Sequence, residues 1–358
     1  MSRLIRAVID TRALRSNLAA VRARAPGAHV MAVVKANAYG HGLVPTALAL
    51  ADADAFAVAR LEEGLALRAA GVTKTIVLLE GVFAGDQLLE AARHGFDIVV
   101  HDPLQIDLLE AFSGQHRFVV WLKIDTGMNR LGFRPADFPV ALARVRAMLP
   151  APLEIRVLTH LARADDRDDA ANREQMARFN SVIGTLDYAT SVANSAGILS
   201  GAGIHADWVR PGLALYGVSP FADQTAAQLG LTPVMALEST VLTVRRVPKG
   251  ETVGYGGVWR ARRDSTIAIV AAGYGDGLPR NLPSDTPVLI GGQRGTIAGR
   301  VSMDMIAVDV TDLPPLHVGD SVTLWGEGLP VEEIARHAGT IPYELLCGVS
   351  QRVPLELR

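Results

Sequence analysis

His29-Val30-Met31-Ala32-Val33-Val34-Lys35-Ala36-Asn37-Ala38-Tyr39-Gly40-His41-Gly42 begins as a short apolar run, delivers one lysine at its end, and then turns on small residues and glycine. A strand that presents a single side chain at the rim of a barrel reads this way. A lysine held among apolar neighbours has its charged form disfavoured, and the free amine is a nucleophile able to form a Schiff base with a carbonyl cofactor. Lys35 is therefore the candidate anchor for such a cofactor. Alone, such a stretch is more often an ordinary strand ending in a solvated lysine, so the choice falls to the rest of the chain.

Outward from Lys35 the pattern repeats. Further apolar runs lie at 55–59, 75–79, 97–101, 118–125, 154–160, 188–194 and 207–213, making eight with the first. Helical stretches at 62–70, 86–94, 103–112, 135–149 and 173–186 separate most of them, and Asp10 is placed to cap an opening helix to about Arg24. Strands apolar on both faces that alternate with helices make a parallel sheet, and eight such units close into a barrel. The expected fold is α/β: a (β/α)8 TIM-like barrel over 1–232, its barrel proper at about 10–220. After Thr232-Pro233 the runs at 234–244, 267–271, 287–290, 305–310 and 321–324 are short, β-rich and broken by Gly, Pro and Asp. They predict a mostly β domain over 233–358 that includes a helix near 331–337, with 221–231 as the connection and residues 1–9 a candidate to pair with it. The charged run 163–169 reads as a solvated loop entering a helix.

Composition narrows the function. The 358 residues carry a net charge of −2, which offers no electrostatic footprint for nucleic acid or an anionic membrane. The single cysteine, Cys347, has no internal disulfide partner and suits a reducing cytoplasm. Asp10 follows the amino terminus too soon for a signal peptide's apolar core, and no apolar run reaches membrane-spanning length. Gly291-Gly292 and Gly273-Tyr274-Gly275-Asp276-Gly277 read as hairpin turns, because no βαβ unit or Gly-Lys-Ser/Thr surrounds them.

Active groups of such a barrel come from the carboxyl ends of its strands. Those ends carry Lys35, Arg130, His160, Asn194-Ser195 and Arg210. Asn194-Ser195-Ala196-Gly197 and Arg210-Pro211-Gly212-Leu213 follow the last two strands, where backbone amides commonly cradle phosphate. A lysine plus a phosphate cradle points to pyridoxal 5'-phosphate; no metal site is expected.

The stretch 33–42 resembles the pyridoxal-attachment motif of the alanine racemase family. The resemblance continues in order through Lys123-Ile124-Asp125-Thr126-Gly127-Met128-Asn129-Arg130-Leu131-Gly132-Phe133, Thr159-His160, Ala193-Asn194-Ser195-Ala196 and Val209-Arg210-Pro211-Gly212. In the second domain it takes in Val253-Gly254-Tyr255-Gly256, Gly299-Arg300-Val301-Ser302-Met303-Asp304-Met305 and Ile341-Pro342-Tyr343-Glu344.

The resemblance implies a cytoplasmic enzyme that interconverts L- and D-alanine, either supplying D-alanine for peptidoglycan or degrading alanine. Two bases then flank the cofactor: Lys35 takes the proton of the D-enantiomer and Tyr255 that of the L-enantiomer. A phenol of ordinary pKa is only about one part in a thousand ionised at neutral pH, and a network through His160 and Arg210 is the expected help. Arg210 faces the pyridine nitrogen, where a cation weakens the electron sink; the related barrel decarboxylases place a carboxylate there. Arg130 and the Met303 backbone hold the substrate carboxylate. Tyr39, Ser195, Gly212 and Tyr343 bind the cofactor phosphate, with His160, Asn194 and Leu213 also against the cofactor. Lys123 resembles a position carbamylated in some members, an ordinary salt-bridged or exposed lysine being the alternative. Tyr274 lines the entrance and Asp304 supports the site. The resemblance further implies a homodimer in which Tyr255 and Met303 complete the site of the other copy. Rival readings are a broader amino-acid racemase, a barrel decarboxylase, and a pyridoxal-phosphate carrier without turnover.

Overall fold

A computed structural model describes residues 4–148, 151–184, 186–201 and 204–358. The expected helix end at Leu149, Thr185 within the stretch 173–186, and residues 1–3 lie outside the described residues.

The first strand, β1 (Arg6–Ile9), stays out of the barrel. Asp10 follows it and caps the helix Thr11–Arg24 by accepting from the amides of Arg12 and Ala13, so the chain turns from sheet to helix within one residue. Eight parallel strands then close a barrel: β2 (His29–Val33), β3 (Ala55–Val58), β4 (Thr75–Leu78), β5 (Asp97–Val100), β6 (Val119–Lys123), β7 (Glu154–Leu158), β8 (Thr190–Asn194) and β9 (Trp208–Arg210). Pairing of His29 with Trp208 and Val30 with Val209 joins the last strand to the first. The whole of β3 and β5 is buried, as strands covered by side chains inside and helices outside must be. Leu213, expected within the last strand, instead opens the 3-10 helix Leu213–Tyr216.

In the second domain, β10 (Met235–Val247) pairs on one flank with Ser265–Val270 and on the other with Ser321–Trp325. Through Ile306–Asp309, Gln293–Ile297 and Pro287–Ile290 the pairing returns to Ser321–Trp325, so six strands form a ring. β1 pairs antiparallel with β10 and parallel with Leu355–Leu357. Gly291 and Gly292, at φ 57° and 80°, make the hairpin turn between Pro287–Ile290 and Gln293–Ile297. Gly273–277 is no hairpin: Tyr274–Asp276 forms a 3-10 turn, held by the Asp276 carboxylate accepting from the Gly273 amide. Beyond the expected helix, observed at Val331–Ala338, a second one runs over Pro342–Gly348. No helix among the described residues is long and apolar enough to cross a membrane.

The amino-terminal mouth of the barrel is plugged. The Arg156 guanidinium lies 5.1 Å from the Trp121 ring centre and 4.9 Å from that of Trp208. Asp97 closes the layer by accepting from the Trp121 indole at 3.3 Å. Burial pushes the Asp97 carboxyl up to about 6, outweighing the pull of Trp121 and Arg156. The fold thus prefers the protonated acid, and this stabilisation, present below the ordinary carboxyl pKa, is lost as pH rises through about 6. Asp97→Asn keeps an acceptor for Trp121, and Arg156 keeps its two bonds to Glu154 at 2.7 Å. Thermal unfolding of this variant should match the parent near pH 4 and show a higher Tm above pH 7, with a gain of up to about 3 kcal/mol.

Candidate active site

Lys35 is half-buried just past β2, and the backbone after it reverses hand. Ala36, Asn37, Ala38 and Tyr39 have φ of 54°, 53°, 54° and 51°, and Gly40 follows at 81°. The sequence suggested a turn on small residues; the structure makes it a left-handed helical turn, closed by Gly40 N–H donating to Ala36 O at 3.1 Å. Outside glycine this conformation costs about 1–2 kcal/mol per residue, so four in succession require about 4–8 kcal/mol from their surroundings. Part comes from Glu63, whose carboxylate accepts from the Ala36 amide at 2.6 Å and from Ala59 at 2.9 Å. Asn37 adds a bond from the Leu43 amide at 2.9 Å. From the far side the helix Pro342–Gly348 presses on Gly40, where a Cβ would sit 2.1 Å from the Leu346 carbonyl oxygen.

The turn delivers Tyr39 back into the protein. Its ring packs 4.9 Å from Tyr216 and 5.5 Å from Tyr343. Its hydroxyl lies where a Gly212 side chain would have to go, 2.6 Å from an added Cβ, which is why position 212 carries none. Beside it, Ser195 Oγ accepts from the Gly212 amide at 2.9 Å and the Ala214 amide at 3.1 Å. Asn194 accepts from the Gly197 amide and starts the short helix Ser195–Leu199. Burial pushes the Tyr39 phenol far above its ordinary range and the Tyr343 phenol up to about 12, so both remain donors. Two phenols and a serine whose Oγ, accepting from two amides, keeps its own O–H to donate are a donor set that suits a phosphate, and Lys35 stands four residues from Tyr39. The residues present fit pyridoxal phosphate.

Cations gather on the same rim. Arg210 is 5% exposed, yet its partners among the described residues are all neutral: Ser191 Oγ and Thr159 O at 2.6 Å, Val192 O at 3.2 Å and His160 Nδ1 at 3.4 Å. Burial lowers its guanidinium to about 10, so it stays charged at neutral pH. Since Arg210 can only donate, His160 Nδ1 must accept and the imidazole proton sits on Nε2. Burial, then Arg210, Lys123, Arg130 and Lys35, hold His160 well below its ordinary pKa and neutral. Lys123, at the end of β6, is the most deeply buried lysine of the rim; burial and Arg210 lower it to about 8. The loop bearing the exposed Arg130 is fixed by Asp125, which accepts from the amides of Gly127, Asn129 and Arg130. A groove of about 890 Å³ opens on the outer flank of Arg130, between Phe83, Leu104 and Arg178.

Sequence reading missed the residues that brace this rim. Gln175, 2% exposed on the helix Ala170–Ile183, donates to Thr126 Oγ and to the His160 carbonyl, both at 3.1 Å. Thr126 in turn meets Thr159 Oγ at 2.9 Å. Nothing in the surrounding sequence marks Gln175, since a glutamine in a helix is ordinary until its burial is known.

The candidates of the second domain are not joined to the rim by any hydrogen bond among the described residues. Tyr255 stands between the short strands Thr252–Val253 and Trp259–Arg260, 65% exposed, its hydroxyl without a partner among those residues. Met303 is 53% exposed; its carbonyl accepts from the Gly275 amide, and the neighbouring Ser302 carbonyl accepts from Tyr274. Asp304 pairs with Arg352, which also pairs with the buried Asp276. Among the described residues no three His, Cys, Asp or Glu gather as a metal site.

Two family models match the chain: "Alanine racemase, N-terminal domain" over residues 9–220 and "Alanine racemase, C-terminal domain" over 234–357. The chain belongs to the alanine racemase family. A curated alanine racemase of Nitrosospira multiformis is 48% identical over 355 residues, 99% of either chain. The biosynthetic alanine racemase of Pseudomonas aeruginosa superposes over all of both chains with a TM-score of 0.97 at 45% identity. That of Bartonella henselae, solved with covalently bound pyridoxal phosphate, does so with 0.91 at 33%. The barrel followed by a mostly β domain is therefore the racemase architecture, and the chain is an enzyme of that family.

In this racemase fold the turn after Lys35 depends on the close approach at Gly40. Gly40→Ala should lower stability by more than about 2 kcal/mol in denaturant titrations. Gly71→Ala, at φ 83° but with nothing within 4 Å of the added Cβ, should cost only about 1 kcal/mol. Equal losses in the two variants would remove the steric role given to Leu346.

Proposed function

We propose that the chain interconverts L- and D-alanine in the cytoplasm, using pyridoxal phosphate anchored on Lys35, as a homodimer in which Tyr255 and Met303 of one copy complete the site of the other. The observation that carries the reading is the cluster of Tyr39, Ser195 and Gly212, reached by the turn that follows Lys35, together with a buried arginine that has no carboxylate partner among the described residues. Lys123, Asn194, Leu213, Tyr274 and Asp304 take the supporting roles that the family resemblance gives them.

When bound, the cofactor supplies an aldehyde for the substrate amine and draws electrons from the Cα–H bond. Lys35 moves the α-proton on one face, and Tyr255 of the other copy moves it on the opposite face. Arg130 and the Met303 backbone orient the carboxylate of alanine. Arg210 holds a fixed positive charge on the rim; set against the pyridine nitrogen, such a cation would keep the electron sink weak and favour return of the proton over transamination. A decarboxylase would want a carboxylate at that place, and the side chains bonded to Arg210 are Ser191 and His160. His160, neutral and proton-bearing on Nε2, links Arg210 to the phenol.

Several features support sharing between copies. Tyr255, Val258, Met303 and Met305 are all at least 43% exposed, an apolar surface that water alone covers poorly. The groove beside Arg130 is far larger than alanine needs and is open to a second body.

Purified protein should convert either enantiomer to the racemate, with solvent deuterium entering at Cα. Lys35→Ala should lose the borohydride-fixable link to pyridoxal phosphate; persistence of that link would assign the anchor to another lysine. Tyr255→Phe should keep the link and lose at least about a hundredfold in L-to-D rate. Mixing the two inactive variants should restore about a quarter of the parental activity, because half of randomly exchanged dimers carry one intact site. Failure to restore any activity after verified subunit exchange would place Lys35 and Tyr255 of each site on one chain.

A further inference from the structure

We propose that His41 is a positioning residue: its Nδ1–H locks the left-handed turn and so sets the distance between the Lys35 amine and the Tyr39 hydroxyl. The assignment rests on the reading of Lys35 and Tyr39 as the two ends of one cofactor site.

His41 is fully buried, with Nδ1 3.0 Å from the Ala38 carbonyl and 2.9 Å from the Tyr39 carbonyl. An atom facing two carbonyl oxygens must carry the proton, which fixes the tautomer and leaves Nε2 as an acceptor. Nε2 is buried and has no partner among the described residues. A phenylalanine would fill the same space without that uncompensated nitrogen, so the feature that only the histidine brings is the donor at Nδ1. The ring is neutral as well, because burial lowers it to about 4.

The contacts around the ring form a closed circuit about Lys35. The imidazole stacks on Tyr216, with centres 4.5 Å apart and planes at 30°. Tyr216 donates its hydroxyl to the Val33 carbonyl at 2.9 Å, two residues before Lys35, and packs against the Tyr39 ring, four residues after it. The segment is thus held at 33 by Tyr216 and at 38 and 39 by His41, and the two holders touch each other. Glu63 and the Asn37 side chain hold the first half of the turn, and the Ala36 and Asn37 carbonyls accept from the Gly40 and Gly42 amides. Among the described residues His41 is the one side chain bonded to the Ala38 and Tyr39 carbonyls, the first of which also accepts from the His41 amide at 3.0 Å.

Two variants of the full-length chain separate the donor from the ring. His41→Phe keeps the stack and loses the donor; His41→Asn keeps an amide N–H close to the position of Nδ1 and loses the ring. Amide hydrogen exchange is followed for residues 36–42 without cofactor, and the dissociation constant for pyridoxal phosphate is measured by spectroscopic titration. For His41→Phe the expected result is exchange at least about tenfold faster at these amides and cofactor binding at least about tenfold weaker. At saturating cofactor, kcat should fall while KM for alanine changes by less than about threefold. His41→Asn should recover most of each loss. Exchange and cofactor affinity of His41→Phe equal to the parent, or a His41→Asn as impaired as His41→Phe, would overturn the assignment. If His41→Phe does not fold, His41→Asn decides: affinity within about threefold of the parent supports the donor role, and a loss beyond about tenfold refutes it. A parent chain that binds no pyridoxal phosphate would sink the cofactor reading instead, and the exchange comparison would still decide the hold of His41 on the turn.

Discussion

Everything at the rim depends on a stretch of backbone that the chain would not adopt alone. Four consecutive non-glycine residues with φ near 53° persist only where neighbours specify them from every side. Here those neighbours come from distant parts of the chain: Glu63 after β3, Tyr216 after β9, and Leu346 near the carboxyl end. The segment after Lys35 is therefore as rigid as the junction of the two domains, which the proposed role of its amine requires, since a group that acts on one face of a planar cofactor must hold its place.

The second constraint is electrostatic. Arg210, Lys123, Arg130 and Lys35 lie close enough for the last three to depress His160 together with Arg210, and Asp125 partly offsets the effect on Lys123. Gathering like charges in a partly dry site is unfavourable unless an anion joins them. The two anions of the proposed chemistry, a phosphate and an amino-acid carboxylate, supply that balance. Because the hydrogen bonds of Arg210 go to three backbone carbonyls or hydroxyls and one neutral imidazole, its charge is left whole for whatever lies in front of it.

The barrel was legible because its early strands are apolar on both faces, as β3 is throughout, and because all eight stand in a repeating βα rhythm, a signal carried by local residues. β1 and Leu355–Leu357 were harder to read, since four and three residues show no period and their partners lie far along the chain. The Pro342–Gly348 helix was seen only as a motif, its two turns being too short to show amphipathic spacing. At the site, charged residues at strand ends could be named from sequence, because charge after an apolar run is conspicuous. The handedness of the turn after Lys35 could not, as it is imposed by packing from Leu346 and Glu63. Gln175 and Ser191 were invisible for a similar reason, and Thr126 was read only as part of the 123–133 stretch with no role of its own: an uncharged polar side chain announces its role only when burial shows which bonds it must make.

Pairing of β1 with β10 also orders assembly in time. The stretch from β2 to β9 finds its neighbours locally, each strand beside the next, and can collapse while synthesis continues. Arg6–Ile9, translated ahead of all of them, has to wait until Met235–Val247 emerges. A strand made before the whole barrel is thus among the latest to find a partner, and in the interval its unpaired edge is open to other nascent chains.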